Sequence, residues 1–188
     1  MLGTHARILT LVQASVLAIV LALMGAELQS AAAAPEMPQA EVQSSGRQIV
    51  DIDNIDDETL ANAMARYIMN VYLSSEPLTP EEIEQIYAPV VSYFGQPRKT
   101  RRSIILDKLA YYRRWPFRHY DLVPDSMQIE RFAGGSDKMI DVSFDFTFDV
   151  SSGGRTSRGR GKALLSFDFS LPGGQIVREE SRVTRRFR

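Results

Sequence analysis

The sequence contains no cysteine and only two histidines, His5 and His119, in a chain of 188 residues. The absence of cysteine excludes disulfide bonds, cysteine-ligated zinc or iron–sulfur centres, thiol nucleophiles and lipid-modified cysteines. The scarcity of histidine argues against histidine-based triads and multi-histidine metal sites. The sequence therefore predicts neither a metal nor any other cofactor.

Net charge is also nearly absent, because 22 basic and 23 acidic side chains give a formal charge of -1. Such a balance produces no overall field that would attract nucleic acid. With 44% hydrophobic and 24% charged residues, the chain has the composition of one globular domain. We expect a single domain without a nucleic-acid partner.

Residues 1–34 have the order of a signal peptide. Arg7 precedes a stretch that carries no charge until Glu27, and small residues then crowd in before Pro35. We expect cleavage within 32–34 and release into the periplasm or the exterior. An uncleaved anchor is the alternative, because the apolar stretch is near the minimum length for spanning a bilayer.

The remaining chain divides into three parts. Residues 35–55 are rich in Pro, Gln, Ser and acidic residues without periodicity, which predicts a disordered linker. The patterned region at 56–184 is predicted to form the folded domain, and residues 185–188 a basic tail.

Three helices are predicted in the first half of this domain. The first begins after Asp56, where acidic residues suit an N-cap and a first turn. The second begins at Thr79, which can form a capping box with Glu82. The third runs from Thr100 to Trp115 and is ended by a proline.

Beyond the third helix, apolar residues recur at every second position, which is typical of strands. The clearest alternation covers 140–150 and 163–171, and a turn at 151–154 joins these runs into an antiparallel hairpin with one buried face. The aspartates alternate with the phenylalanines and are expected on the opposite face. Further short strands are predicted at 90–95, 120–123, 127–132 and 176–183.

Particular residues carry a resemblance to a known superfamily. They are Tyr93-Phe94-Gly95, the helical residues Asp107, Lys108, Tyr111 and Tyr112, and the segment from Trp115 to Tyr120. Together with the element order they resemble the nuclear transport factor 2-like (SnoaL-like) superfamily, in particular exported bacterial modules of unassigned role. The resemblance implies an α+β fold, in which three N-terminal helices pack on a curved antiparallel sheet to form a cone with a pocket.

This superfold hosts isomerases, dehydratases and non-catalytic modules, so the resemblance does not choose among them. We expect an exported, non-catalytic binding or interaction module with an apolar pocket, whose partner is a small hydrophobic ligand or an envelope protein. Homodimerisation through the sheet is implied by the resemblance alone. The alternative is an isomerase or dehydratase acting on a small hydrophobic substrate, which two or more converging titratable groups in the pocket would favour.

We assign no catalytic residue, and the side chains considered for that role are His119 or a tyrosine such as Tyr67 or Tyr112. On a strand, His119 is expected to face away from Arg118 and Tyr120. Arg118 is expected to stack on a tryptophan or to pair with a sheet carboxylate. The candidates for the pocket or the helix-to-sheet junction are Tyr67, Asp107, Tyr112, Trp115, Arg118, Tyr120, Phe144 and Phe146.

Basic residues are concentrated at the end of the chain, where Arg182, Arg185, Arg186 and Arg188 lie close together. Such a basic surface is expected to favour anionic lipid headgroups, wall polymers or an acidic partner. Membrane contact is therefore expected only through the signal peptide or through weak electrostatic attraction.

Overall fold

The computed structural model describes residues 52–132 and 138–187. The predicted signal peptide at 1–34 and residues 35–51 of the predicted linker lie outside the described residues, as does Arg188.

The end of the predicted linker belongs to the folded domain. Ile52 and Ile55 are buried in the core, and a short 3-10 helix covers Ile52–Asn54. The Arg131 guanidinium donates to the carbonyl oxygens of Ile52 and Ile55, each at 2.7 Å. The folded domain therefore begins before residue 56, the start predicted from the sequence. Burial of the two isoleucines and the hydrogen bonds from Arg131 hold this segment against the domain.

Helix α1 spans Asp57–Tyr67 and continues as a π-helical turn over Ile68–Tyr72. It begins at Asp56, whose carboxylate accepts a hydrogen bond from the backbone N–H of Thr59 at 2.8 Å. The helix buries Leu60, Ala63, Met64 and Tyr67 against the sheet.

Helices α2 (Pro80–Ile86) and α3 (Arg101–Arg114) begin where the sequence predicts. Thr79 and Glu82 form the predicted capping box, with N···O distances of 3.2 and 2.7 Å. Thr100 caps α3 by accepting from the backbone N–H of Ser103 at 3.3 Å. Helix α3 is largely exposed, since Ile104 is its only buried residue.

Seven strands form one curved, unclosed sheet in the order β2-β1-β7-β6-β5-β3, with β4 paired to β5. The strands are β1 (Tyr87–Tyr93), β2 (Gln96–Thr100), β3 (Phe117–Leu122), β4 (Gln128–Arg131), β5 (Met139–Ser152), β6 (Arg155–Asp168) and β7 (Gln175–Phe187). The predicted α+β fold with three helices on a curved sheet is confirmed. The sheet is mixed rather than purely antiparallel, because β1 pairs with β7 in parallel.

The hairpin of β5 and β6 is the longest feature of the sheet, with fourteen residues in each strand. Phe144 and Leu165 are fully buried on the inner face, under the helices. Asp145 and Asp149 pair across the strands with Lys162 and Arg158 on the other face. The two-residue alternation therefore assigns the faces of this hairpin as predicted.

Strand β7 continues through Phe187, so the residues expected to form a basic tail extend the sheet instead. Its pairing with β1 ends at Glu179, whereas its pairing with β6 continues to Phe187. The outer half of β7 consequently lies beside the opening of the cone, where its basic side chains border the pocket.

Candidate functional site

A pocket of about 610 Å³ lies between the inner face of the sheet and the helices. The π-helical turn after α1 and the second half of α3 form its walls, and β3, β5 and β7 form its floor. A volume in this range accommodates a small organic molecule.

A buried carboxylate marks the inner end of the pocket. Glu179 lies in the middle of β7, and only 2% of the residue is exposed. Its Oε1 accepts from the Tyr72 hydroxyl at 3.1 Å and its Oε2 accepts from the Tyr87 hydroxyl. Lys108 on α3 completes an ion pair with it, with Nζ 3.4 Å from Oε1. We call these four residues the Glu179 cluster.

A β-bulge turns Glu179 inward. Phe167 pairs with Ile176 and Ser166 pairs with Arg178, so Val177 is an extra residue on β7. Strict alternation from the buried Ile176 would point Arg178 into the core. The extra residue reverses the faces and places Glu179 inside.

Lys108 is held among aromatic rings. Its ammonium lies 5.6 Å from the ring centre of Tyr72, 5.2 Å from that of Tyr87 and 6.0 Å from that of Tyr93. These cation–π contacts and the Glu179 carboxylate together offset the cost of removing the ammonium from water. The side chain remains 16% exposed, so a molecule in the pocket can reach it.

The phenolic groups around the cluster are shielded from water. Burial raises the pKa of Tyr72 and Tyr87 well above the ordinary value, and the nearby Glu179 carboxylate raises both further. Burial likewise raises the pKa of Tyr67, Tyr93, Tyr112 and Tyr120. These hydroxyls therefore stay protonated in the folded protein, and those of Tyr72 and Tyr87 donate to Glu179.

These shifts predict alkaline unfolding. In the unfolded chain the tyrosines ionise near pH 10, whereas the folded protein keeps the buried ones neutral above that pH. Stability is therefore fully present below about pH 10 and falls as the pH rises beyond it. In an alkaline titration followed by tyrosinate absorbance and circular dichroism, most tyrosines should ionise together with loss of structure. Ionisation of all seven tyrosines while the circular dichroism stays native would contradict this prediction.

Two glycines shape the floor of the pocket. Gly161 and Gly159 on β6 lie beneath the rings of Phe146 and Phe148, their cross-strand partners on β5. A Cβ atom at Gly161 would approach Cζ of Phe146 to 2.5 Å. The missing side chains therefore let both rings lie flat on the sheet and leave space above them.

The structure brings together six of the eight residues predicted for the pocket or junction. Those that line the pocket are Asp107, Tyr112, Trp115, Arg118, Tyr120 and Phe146. Tyr67 and Phe144 lie in the core beneath it. The Tyr67 ring packs edge-on against Phe167, and the Phe144 ring packs edge-on against Tyr72.

His119 lies outside the pocket. Its side chain is 68% exposed and its Nε2 lies 3.1 Å from the carboxylate of Asp121 on the same strand. The neighbours Arg118 and Tyr120 face inward, which is the alternation expected for strand β3. In this position His119 cannot act on a molecule held in the pocket.

Arg118 connects the helices to the sheet, but with partners other than those expected. Its guanidinium donates to the carbonyl oxygens of Trp115 at 2.6 Å and Ser75 at 2.7 Å. The same group stacks on the ring of Tyr112, 4.7 Å from its centre. It neither stacks on the Trp115 ring nor pairs with a sheet carboxylate, because the carbonyl oxygens of two backbone segments bind it instead.

Asp107, on α3, is bound to the neighbouring strand β2. Its carboxylate forms an ion pair with Lys99 on β2. Of the basic residues at the end of the chain, Arg182 and Arg186 border the pocket, whereas the Arg185 guanidinium lies over the Phe187 ring at 5.8 Å.

Sequence reasoning missed the Glu179 cluster. Lys108 was placed on the correct helix, but Glu179, Tyr72 and Tyr87 were assigned no role. The only signal available in the sequence is the two-residue alternation of β7, in which the inward-facing Ile176 predicts that Arg178 also faces inward. The bulge between them interrupts this alternation, so the sequence pattern does not show that Glu179 is the inward residue.

Within residues 52–132 and 138–187, no group of three or more histidine or acidic side chains has the arrangement of a metal site. No helix in the same part of the chain combines the length and apolarity needed to span a membrane.

Comparison with known proteins finds similar folds among solved structures, all at low sequence identity. Neither a protein-family profile nor a curated protein matches the sequence. A nuclear transport factor 2-like superfamily protein from Salmonella enterica superimposes with a TM-score of 0.53 at 16% identity, covering 67% of this chain and 92% of the other. A protein from Novosphingobium aromaticivorans, provisionally named a scytalone dehydratase, superimposes with a TM-score of 0.54 at 14% identity. The match covers 69% of this chain and 87% of the other.

An uncharacterised protein from Caulobacter vibrioides with a cystatin-like fold gives a TM-score of 0.52 at 13% identity, with coverage of 64% and 87%. These similarities establish the fold class, a nuclear transport factor 2-like cone. The resemblance predicted from the sequence is thus confirmed for the fold.

Proposed function

We propose that this protein binds a small amphipathic molecule in the pocket and holds it without chemical change. The observation that carries the proposal is the joining of an aromatic floor to one buried polar cluster at its inner end. Apolar walls with a few convergent polar groups are typical of small-molecule sites. Lys108 is the donor best placed to hold a polar atom of the ligand.

The hydrogen bonds of Glu179 favour binding over catalysis. Both of its carboxylate oxygens already accept from groups of the chain, namely Tyr72, Tyr87 and Lys108. A general base must instead reach a proton of the substrate, directly or through one water molecule. The cluster therefore serves to fix Lys108 and the two phenols in position.

The second candidate is an enzyme of isomerase or dehydratase type. The convergence of Glu179, Lys108 and Tyr72 in one pocket favours it, since converging titratable groups are the feature expected of such an enzyme. In that case Glu179 takes the role considered for His119, with the tyrosine hydroxyls as donors. The neighbour provisionally named a dehydratase supports this candidate only as a fold analogue.

We also propose that the protein is exported and works in the periplasm or outside the cell. The support is the order of charge, apolar stretch and small residues in 1–34.

Native mass spectrometry of the protein from its own envelope tests these proposals together. We expect the mass of a chain cleaved within 32–34 and a retained small molecule of unaltered mass in wild type and Glu179→Gln alike. If the molecules retained by the wild-type protein and by Glu179→Gln differ in mass by one water, the result favours a dehydratase. A chain with an intact N-terminus would contradict cleavage and would favour the uncleaved anchor.

The variant Gly161→Ala tests whether the retained molecule lies in the pocket. The added Cβ pushes the Phe146 ring into the pocket, so retention should fall by about tenfold. The double variant Gly161→Ala with Phe146→Leu relieves the clash and should recover most of the binding. Equal retention by wild type and Gly161→Ala would show that the molecule binds elsewhere.

A further inference from the structure

The charges that line the pocket are unequal. Five basic side chains and two acidic ones lie along its wall. Both acidic side chains are already matched by a lysine, Asp107 by Lys99 and Glu179 by Lys108. The arginines of the lining are consequently left without acidic partners within the described residues.

Arg118 is buried, and both terminal nitrogens of its guanidinium already donate to backbone carbonyl oxygens. Three arginines remain: Arg114 at the end of α3, and Arg182 and Arg186 on β7. None of the three forms an ion pair with any residue that the structure describes. All three are exposed.

Local structure holds two of these arginines near the opening. A second bulge on β7 makes Thr184 an extra residue, so that Arg186 lies opposite Gly159 on the inner face. Its Nη1 donates to the Ser157 hydroxyl at 2.5 Å. The Arg114 guanidinium lies over the Trp115 ring, 5.6 Å from its centre. The mouth therefore presents oriented guanidinium groups.

Arg182 projects away from the pocket. It pairs directly across the strands with Lys162, which pairs in turn with the outward-facing Asp145, so all three side chains lie on the outer face of the sheet. The C-terminal end of α3 stabilises Arg114, but it lends nothing to Arg186. A bound anion would supply the negative charge that these two inward arginines lack.

We infer that the ligand is an organic acid, with its acidic group between Arg114 and Arg186 and its apolar body on Phe146 and Phe148. Guanidinium groups recognise carboxylate, sulfonate and phosphate oxygens through paired hydrogen bonds. The flat phenylalanine rings suit a planar or extended apolar body. This inference rests on the proposed pocket function and specifies the chemistry of its ligand.

Two fluorescent probes with the same apolar body test it. Anilinonaphthalene sulfonate carries an acidic group, and N-phenylnaphthylamine lacks one. We expect the sulfonate to bind at least about tenfold more tightly to the wild-type protein. Raising the NaCl concentration from about 0.05 M to about 0.5 M should weaken the binding of the sulfonate and leave the binding of the amine unchanged.

Matched arginine variants locate the effect. The double change Arg114→Gln with Arg186→Gln should reduce the affinity for the sulfonate to that for the amine, without altering the affinity for the amine. A control double change, Arg155→Gln with Arg160→Gln, removes the same charge away from the pocket and should change neither affinity by more than about twofold.

Two outcomes separate the inference from the proposed function. If Gly161→Ala weakens the amine but the sulfonate has no advantage, the acidic ligand is excluded and the pocket function stands. If Gly161→Ala affects neither probe, both bind outside the pocket and both proposals fail. Equal losses of sulfonate binding in the two double variants would show general attraction to a basic surface and would overturn the inference.

Discussion

Replacement of Glu179 by alanine is expected to lower the free energy of unfolding by about 3–5 kcal/mol. The side chain is buried with Lys108 as its ion-pair partner, and its removal leaves a cation without its counter-charge. The hydroxyls of Tyr72 and Tyr87 also lose their acceptor. Urea unfolding followed by circular dichroism measures the change.

Three comparisons make the Glu179 result specific. Glu179→Gln keeps the shape and an acceptor, so about half of the loss should remain. Glu180→Ala removes the adjacent acid, whose ion pair with Arg178 is exposed, and should cost no more than about 0.5 kcal/mol. Lys108→Met combined with Glu179→Leu should be less destabilising than the two single changes together. A Glu179→Ala protein within about 1 kcal/mol of wild type would contradict the cluster's structural role.

Replacement of Arg118 by alanine is expected to cost about 2–4 kcal/mol and to lower the melting temperature by roughly 10 °C. This residue is only 8% exposed and donates to carbonyl oxygens of two separate segments. Without it, the segment containing Ser75, the end of α3 and strand β3 lose their common donor. The walls of the pocket at this junction should then loosen.

Two further variants test the role of the guanidinium. Arg118→Lys retains the charge but lacks the planar fork that reaches both carbonyl oxygens, so it should recover less than half of the loss. Arg155→Ala, at the exposed start of β6, should melt within about 2 °C of wild type. Equal melting temperatures for wild type and Arg118→Ala would show that this residue does not brace the junction.

The Glu179 and Arg118 experiments probe opposite ends of one pocket. Glu179 fixes the inner end through Lys108, whereas Arg118 fixes the wall below the mouth. Loss of either side chain should therefore weaken ligand retention as well as stability. The arginines at the mouth differ in this respect, because they are exposed and their removal should affect binding alone.

Local chemistry in the sequence determined much of the fold. Thr79 with Glu82, and Thr100, mark helix starts because their side chains satisfy backbone N–H groups there. The alternation from Ile140 to Val150 assigned inner and outer faces because successive side chains of a strand point to opposite sides. Both signals act within a few residues, which is why a single sequence reveals them.

The sequence did not reveal the pairing of β1 with β7 in parallel, because these strands are far apart in the chain. The additional strand β2 was missed as well, since its residues are polar and mostly exposed. Neither feature has a local pattern that distinguishes it from a loop.

For the site, the sequence by itself determined that Asp107, Tyr112, Trp115, Arg118 and Tyr120 lie near one junction. Only the tertiary structure decided that Glu179, Tyr72, Tyr87 and Lys108 meet, because they come from four separate elements. The bulge at Val177 was decisive, since one extra residue on β7 exchanges the faces of the strand. Strand alternation is a local property, but the pairing partner determines where it is interrupted.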